Sequence, residues 1–359
     1  MMITELFLTG RGRRDKERLN YMKKLNFTND LRECTLCEHR CGVDRTSGHL
    51  GVCRMAEPLV ASRTLHPAPP ESYTIFMAGC NFKCLGCQNW TISQFPDNRM
   101  AVDGYVDPRS LAVESVRILE STAGVLMGAD RIFFSGGEPT IHLPFIENVV
   151  TEARRMRSGL KVNYDTNGFM TEESLHRVLA FATSLTFDIK AYYDDTMRAI
   201  TGASVEPVLR NAEIVGRSAR DKLWEYRIVA IPEINEDDID PLCRFLASIS
   251  KELPVAFLAF RPNFVLDEHR GAPRELMKRC VEQAKARGLK NVTYAGMTNI
   301  PGNTGSLLRE VEEAYERPGA RLAASYARSK GCTTHPRDCG RCQSMSNCPI
   351  KKYIPFRNC

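Results

Sequence analysis

The chain has 359 residues, of which 43% are hydrophobic and 26% are charged. This ordinary composition excludes disorder over most of the length and allows one large domain with appendages. The formal net charge of +6 suits a protein surface, a nucleic acid or an anionic small molecule, and it does not distinguish among them.

No stretch approaches the roughly 18 consecutive apolar residues that a membrane-spanning helix needs. The N-terminal sequence MMITELFLTGRGRRDKERLN has an apolar piece too short for a signal peptide, and its positive charges follow that piece. We therefore expect a cytoplasmic protein without a membrane partner. The basic run is interpreted as a solvated face.

Three sections follow one another along the chain. Residues 1–68 are basic and cysteine-rich, show little periodicity and run into the breaker sequence HPAPPES. Residues 69–300 alternate short apolar runs with longer amphipathic ones. Residues 301–359 contain one helical stretch, 307–330, followed by a cysteine-rich end.

Six strands are predicted in the middle section because short runs there are rich in β-branched and aromatic residues. They are 73–79, 131–137, 161–167, 185–190, 225–232 and 255–262. Helical stretches lie between them, and a further helix and strand, 272–288 and 292–296, follow. Such alternation predicts an α/β fold with a parallel sheet that closes partway into a barrel or lies open.

Ligand-type residues gather at the carboxyl ends of these strands, where sheets of this kind carry their chemistry. A cysteine triplet follows the first strand, GGEP (136–139) the second, DTNG (165–168) the third and DIK (188–190) the fourth. Arg227 lies within the fifth strand and Arg261 closes the sixth. One rim of the sheet is therefore the predicted site.

The fourteen cysteines are the main chemical signal, since clustered cysteines in a reducing compartment indicate metal or redox chemistry. Cys243 and Cys280 stand alone and are interpreted as small buried hydrophobic residues. Cys80, Cys84 and Cys87 place three thiolates within eight residues, which suits an iron–sulfur cluster with one open iron. Zinc or an electron-transfer cluster are the alternatives, and neither explains GGEP.

The spacing CxxxCxxC after one strand, with GGE after the next, resembles the signature of the radical S-adenosylmethionine (SAM) superfamily over roughly residues 73–265. The stretches CNFKCLGCQNWTIS, FSGGEPT, YDTNGF, FDIKAYYDDTMRAITGA and FRPNF are similar to those of glycyl-radical-enzyme activating enzymes and AmmeMemoRadiSam proteins. The resemblance implies a partial (β/α)6 TIM-type barrel with cysteine-rich N- and C-terminal extensions.

The same resemblance implies a [4Fe-4S] cluster on Cys80, Cys84 and Cys87 whose open iron binds SAM. One electron, from reduced ferredoxin or flavodoxin, would cleave SAM to a 5′-deoxyadenosyl radical that abstracts hydrogen from the substrate. The protein would position these cofactors and exclude water and oxygen.

Carried over position by position, Gly136, Gly137 and Glu138 would receive the SAM amino group, with Glu138 as the anionic acceptor. Asp188 and Lys190 would contact the ribose and carboxylate end.

Asn167 and Arg227 would lie beside SAM. Asp165 and Thr166, with Asp188, would offer oxygens to a monovalent cation. The plainer alternative for an Asp or Asn at a strand end is a cap or turn former.

One position departs from the family pattern. The family usually has an aromatic residue before the third cysteine, near the adenine, and this chain has Gly86. Phe82 or Trp90 could compensate.

Two further cysteine sets flank the middle section. The N-terminal set has the spacing C-x2-C-x3-C-x11-C and consists of Cys34, Cys37, Cys41 and Cys53. Four thiolates complete a zinc site or hold an auxiliary iron–sulfur cluster, and both interpretations stay open.

The C-terminal set, Cys339, Cys342 and Cys348, resembles the SPASM-type auxiliary-cluster domains of peptide-modifying enzymes. The pattern expects a cysteine where Lys352 stands, so Cys332 or Cys359 would be the fourth ligand. A zinc knuckle is the alternative.

The sequence thus predicts a radical SAM enzyme acting on a protein or peptide, by glycyl-radical activation or side-chain modification. A small-molecule substrate is the near alternative. A zinc-stabilised nucleic-acid-binding module would also use the basic surface, but no RNA-binding signature supports a nucleic-acid partner. His66, His142 and His335 lack metal-like spacing and are interpreted as packing or surface residues.

Overall fold

The computed structural model describes residues 28–296, 300–302, 315–333 and 339–355. Within them one sheet has the strand order β1-β2-β3-β4-β5-β6-β7-β8. Its strands are β1 Val60–His66, β2 Ser72–Met77, β3 Arg131–Gly136, β4 Lys161–Thr166, β5 Ser184–Asp188, β6 Leu223–Ala230, β7 Pro254–Ala259 and β8 Asn291–Ala295. All neighbours from β2 to β8 pair in parallel.

The predicted α/β fold with a partial barrel is confirmed, and the sheet stays open because β1 and β8 are its two ends. The six predicted strands of the middle section are β2 to β7, and the trailing strand is β8. β1 was not predicted. It pairs antiparallel with β2, and all of its residues after Ala61 are at least partly exposed, so it lacks the apolar run that marks β2 and β3.

Eight of the described helices have eight or more residues. They are Pro108–Leu119, Leu143–Met156, Glu172–Phe181, Asp194–Thr201, Glu206–Ser218, Glu236–Ile249, Arg274–Ala286 and Pro318–Ser329. Shorter ones are Thr28–Arg32, Trp90–Ser93, Thr122–Met127 and Pro349–Lys352. Side-chain caps begin several helices, as where Asp107 accepts the Ser110 N–H at 2.9 Å.

The tail helix begins at Pro318, inside the predicted stretch 307–330, and residues 307–314 lie outside the described part. Proline suits the first turn of a helix because its missing N–H would have no partner there. The helix Pro318–Ser329 packs against Asp194–Thr201. The tail is therefore joined to the sheet domain.

The core lies between the sheet and its helices. Cys243 and Cys280 are completely buried, which confirms their interpretation as small core residues. In the part of the chain that the structure describes, no helix has the length and apolar character needed to cross a bilayer.

Candidate active site

A cleft of about 1150 Å³, which includes its open mouth, lies at the carboxyl ends of the parallel strands. Every residue predicted to bind the cluster, SAM or the cation lines it. These residues are Cys80, Cys84, Cys87, Gly136, Gly137, Glu138, Asp165, Thr166, Asn167, Asp188, Lys190 and Arg227. Arg261, also placed at this rim by the sequence, is exposed and does not line the cleft.

The three cleft cysteines lie in the loop between β2 and the helix Trp90–Ser93. Cys80 Sγ accepts the Phe82 N–H at 3.3 Å, and Cys87 Sγ lies 3.2 Å from Ser93 Oγ. Burial raises the pKa of Cys84 to about 12, although Lys190 opposes this shift. Thiols in such surroundings become thiolates when a metal supplies positive charge.

No group of three or more ligand side chains in the described residues already has metal-binding geometry. The chemistry of the donor set nevertheless fits a cluster with three protein ligands, because three thiols from one short loop line the same cleft.

The backbone of the GGE turn, residues 136–138, is hydrogen-bonded to the residues just before Cys80. Gly137 N donates to Met77 O at 2.9 Å, and Glu138 N donates to Gly79 O at 3.0 Å. A Cβ on Gly137 would lie 1.8 Å from Gly79 O, and Gly136 has a φ of +118°. Only glycine fits at each of these two positions. The GGE turn therefore lines the cleft with backbone atoms and no side chain at Gly136 and Gly137.

The Glu138 carboxylate is buried beneath this turn. Its Oε1 accepts the Thr140 hydroxyl at 2.6 Å and the Thr166 hydroxyl at 2.8 Å, and its Oε2 accepts the Asn167 N–H at 2.9 Å. Burial raises the pKa of Glu138 to about 7 in spite of these donors. Oε2 has capacity for one further donor, as an ammonium ligand requires.

Two cationic side chains lie on the opposite wall. Lys190 Nζ donates to Asp188 Oδ2 at 2.6 Å. Burial would lower the pKa of Lys190, but Asp188 and Cys84 outweigh it and the pKa is raised. Arg227 donates to Glu225 Oε1 at 2.8 Å and lies 3.8 Å from Asp165 Oδ1. Both cations stay charged and are held in place.

Asp165 and Asp188 each have a buried Oδ1 without a hydrogen-bond partner. The other oxygen of Asp165 accepts the Ser135 hydroxyl at 2.7 Å. Burial and the neighbouring Asp188 raise the pKa of Asp165 to about 6. Two unsatisfied carboxylate oxygens at one wall fit the predicted cation, because a cation would satisfy both.

Asn81 contacts a predicted site residue, and the sequence did not single it out. Its Oδ1 accepts the Asn167 Nδ2–H at 2.7 Å, and its backbone oxygen lies 2.9 Å from His39 Nε2. Its place directly after Cys80 was the available signal. The direction of its side chain could not be inferred from that.

The glycine that departs from the family pattern has a structural reason. A Cβ on Gly86 would lie 2.8 Å from Cε2 of Phe260, so this ring occupies the space beside the third cysteine. Phe82 lines the cleft. Trp90 does not line it, and stacks on Phe264 with the ring centroids 5.7 Å apart. Of the two suggested substitutes, only Phe82 faces the cleft.

The flanking cysteines form two separate groups. Four thiols line one small cavity, those of Cys34, Cys37, Cys41 and Cys53. A second small cavity is lined by Cys339, Cys342, Cys348, Lys83 and Lys351. Cys332 lies close enough to Cys339 and Lys83 to interact with both electrostatically. Cys359 and His335 lie outside the described residues.

Residues 74–246 match the profile of the Radical SAM superfamily. The chain contains a radical SAM domain. This family implies an enzyme with a [4Fe-4S] cluster and SAM as cofactors. The match begins in β2 and ends in the helix Glu236–Ile249, and it therefore contains all the residues predicted to bind the cluster, SAM or the cation.

Three similar proteins accompany this match of the radical SAM domain. An uncharacterized protein of Methanocaldococcus jannaschii is 29% identical over 278 residues, covering 76% of this chain and 77% of its own. The pyruvate formate-lyase-activating enzyme of Staphylococcus epidermidis is 24% identical over 192 residues, covering 50% of this chain and 71% of its own. The crystal structure of Streptococcus suis SuiB bound to SAM has a TM-score of 0.42 at 13% identity, covering 62% of this chain and 46% of that one.

Proposed function

We propose that Cys80, Cys84 and Cys87 hold the [4Fe-4S] cluster, that the cleft binds SAM, and that the enzyme abstracts hydrogen from a protein or peptide. The observation that carries the proposal is that three thiols, the glycine-rich GGE turn and the cationic side chains of Lys190 and Arg227 line one cleft. When bound, the reduced cluster supplies the electron that converts SAM to a 5′-deoxyadenosyl radical.

The residues of the chain orient SAM in this proposal. The partly exposed backbone of Gly136 and Gly137 and the carboxylate of Glu138 receive the ammonium group. Lys190 and Asp188 contact the ribose and carboxylate end, and Arg227 faces the same anionic group. The apolar wall formed by Phe82, Leu258 and neighbouring residues excludes water from the reacting end.

A protein or peptide substrate is supported by the name of the Staphylococcus relative, which activates another enzyme. The open sheet also leaves β1 and β8 unpaired with each other, so the domain has a side through which a chain segment can enter. The net charge of +6 suits an acidic electron donor such as ferredoxin or flavodoxin.

We also propose an auxiliary centre on Cys332, Cys339, Cys342 and Cys348. In the sequence Lys83 stands between Cys80 and Cys84 of the catalytic loop. Its side chain forms a hydrogen bond with Cys339. Lys351 Nζ donates to Cys80 O at 3.5 Å. The tail cysteines thus lie against the back of the catalytic loop, where a centre could pass electrons or anchor the substrate.

The test is SAM cleavage by anaerobically reconstituted protein with dithionite, measured as 5′-deoxyadenosine by mass spectrometry. We expect cleavage by the wild type and by Cys243→Ala, a matched thiol-removal control outside the cleft, and none by Cys84→Ala. Wild-type protein that has been reconstituted with its iron–sulfur cluster but makes no 5′-deoxyadenosine contradicts the proposal.

The substrate class is tested by deuterium transfer into 5′-deoxyadenosine. Deuterated cell extract is separated by size before it is added. Deuterium transferred from the macromolecular fraction supports a protein or peptide substrate, and transfer from the small-molecule fraction alone favours the alternative.

A further inference from the structure

The N-terminal cysteines are brought together by a short folded loop. Cys34 N donates to Val43 O at 3.2 Å, and Gly42 N donates to Cys34 O at 3.1 Å. The Val52 N–H points at Cys41 Sγ at 3.4 Å, as backbone donors do around thiolate ligands. A Cβ on Gly51 would lie 2.8 Å from the same sulfur. The backbone thus wraps closely around the four thiols.

Arg45 is a second, independent observation at this cavity. It is only 3% exposed and lines the cavity beside the four thiols. One nitrogen donates to Ile141 O at 2.7 Å and points at Cys34 Sγ at 3.8 Å. Its Nε and Nη2 have no hydrogen-bond partner, and no carboxylate among the described residues pairs with it.

A buried guanidinium without a counter-ion is costly. Four neutral thiols would not offset that cost. Four thiolates around a divalent ion carry a net double negative charge, which a single arginine partly neutralises. The unpaired charge of Arg45 therefore indicates that the neighbouring thiols bind a metal.

The room available favours a single ion. The four-thiol cavity measures about 330 Å³ against about 1150 Å³ for the catalytic cleft, each including space open to solvent. A cube of four irons and four sulfides needs more room than one ion. Four sulfur ligands also complete the tetrahedral shell of one zinc ion, as in structural zinc sites.

The loop that carries these cysteines is joined to the catalytic site. Glu38 N donates to Phe169 O at 3.3 Å and Thr171 N donates to Leu36 O at 3.3 Å. His39 Nε2 lies 2.9 Å from Asn81 O, one residue after Cys80. A rigid metal loop would fix these contacts.

We propose that Cys34, Cys37, Cys41 and Cys53 bind one zinc ion with Arg45 as its buried counter-cation, and that this zinc site holds the catalytic loop in place. The inference does not depend on SAM cleavage, because it concerns the metal content and rigidity of the folded chain.

The test compares zinc, iron and labile sulfide in full-length wild type, Cys37→Ala and the control Cys243→Ala. We expect one zinc per chain in the wild type and the control. Cys37→Ala loses zinc while its iron and sulfide stay at the wild-type level. Wild-type protein without zinc, or Cys37→Ala that loses iron and sulfide instead, overturns the proposal.

Arg45→Met tests the counter-cation while all four ligands remain. Changes beside a metal's ligands lower affinity by about 10–100-fold, and we expect zinc release to a chromogenic chelator to shift by that factor. Unchanged release contradicts the role of Arg45. Because Arg45→Met keeps all four cysteines, this measurement still tests the zinc site if Cys37→Ala does not fold.

The link to the catalytic loop is tested by hydrogen exchange of residues 79–87 before and after zinc is chelated. We expect exchange to speed up by about tenfold or more in this segment, since its contact with the zinc loop is loosened. Exchange that stays the same after the zinc has left removes this part of the proposal.

Discussion

The catalytic cleft and the N-terminal four-thiol site are both built from clustered cysteines, yet they differ in ligand number, room and charge. The cleft has three thiols, a wide mouth and cations already paired with carboxylates. The four-thiol site is small and holds one arginine without an acidic partner. Three thiol ligands beside an open cleft suit a reactive cluster. Four thiol ligands around a small cavity suit a structural ion.

Cys84→Ala is the strongest test of this difference. We expect SAM cleavage to fall by about three orders of magnitude or more, because a cluster ligand is lost. The zinc content stays that of the wild type, since the two sites share no ligand. Loss of zinc together with activity, measured by elemental analysis, contradicts the separation of the sites.

Gly137→Ala tests the backbone floor that only the cleft has. A Cβ there would lie 1.8 Å from Gly79 O, and we expect a loss of at least about 3 kcal/mol in the free energy of unfolding. Gly159→Ala is the control, since nothing lies within 4 Å of its Cβ. Urea unfolding measures both, and equal stability of the two variants would refute this account of the GGE turn.

Gly86→Tyr restores the aromatic residue that the family pattern expects in the cleft. We expect a cost of about 1–3 kcal/mol from overpacking against the ring of Phe260. The double variant Gly86→Tyr/Phe260→Ala regains part of that stability. Thermal unfolding compares the two variants, and a single variant as stable as the wild type shows that Phe260 does not fill this space.

Asp165→Asn tests the electrostatics of the cleft wall. The pKa of Asp165 is raised to about 6, so the folded state holds its proton to a higher pH than the unfolded chain does. Its contribution to stability therefore falls as the pH rises from about 4 to about 6, by up to about 3 kcal/mol. The Asn variant lacks this fall in urea unfolding against pH, and a profile equal to the wild type's contradicts the assigned pKa.

Much of the fold was predictable because β2 to β7 are short runs rich in β-branched and aromatic residues, separated by amphipathic helical stretches. β1 was missed because it is an edge strand with a largely polar sequence. The candidate site residues were predictable because nearly all of them lie at the carboxyl end of a strand or in the loop after it, and such ends meet at one rim. Asn81 and Ser135 were not, since their neighbours in sequence say nothing about where their side chains point.

The sequence by itself determined the succession of strands and helices along the chain, the three cysteine groups and the likeness to radical SAM proteins, because these depend on local runs and short spacings. Only the tertiary structure decided which distant residues meet. It placed Arg45 among the N-terminal thiols, Phe260 against Gly86 and Lys83 beside Cys339. Such contacts arise when separate segments pack together, and no local pattern in the chain encodes them.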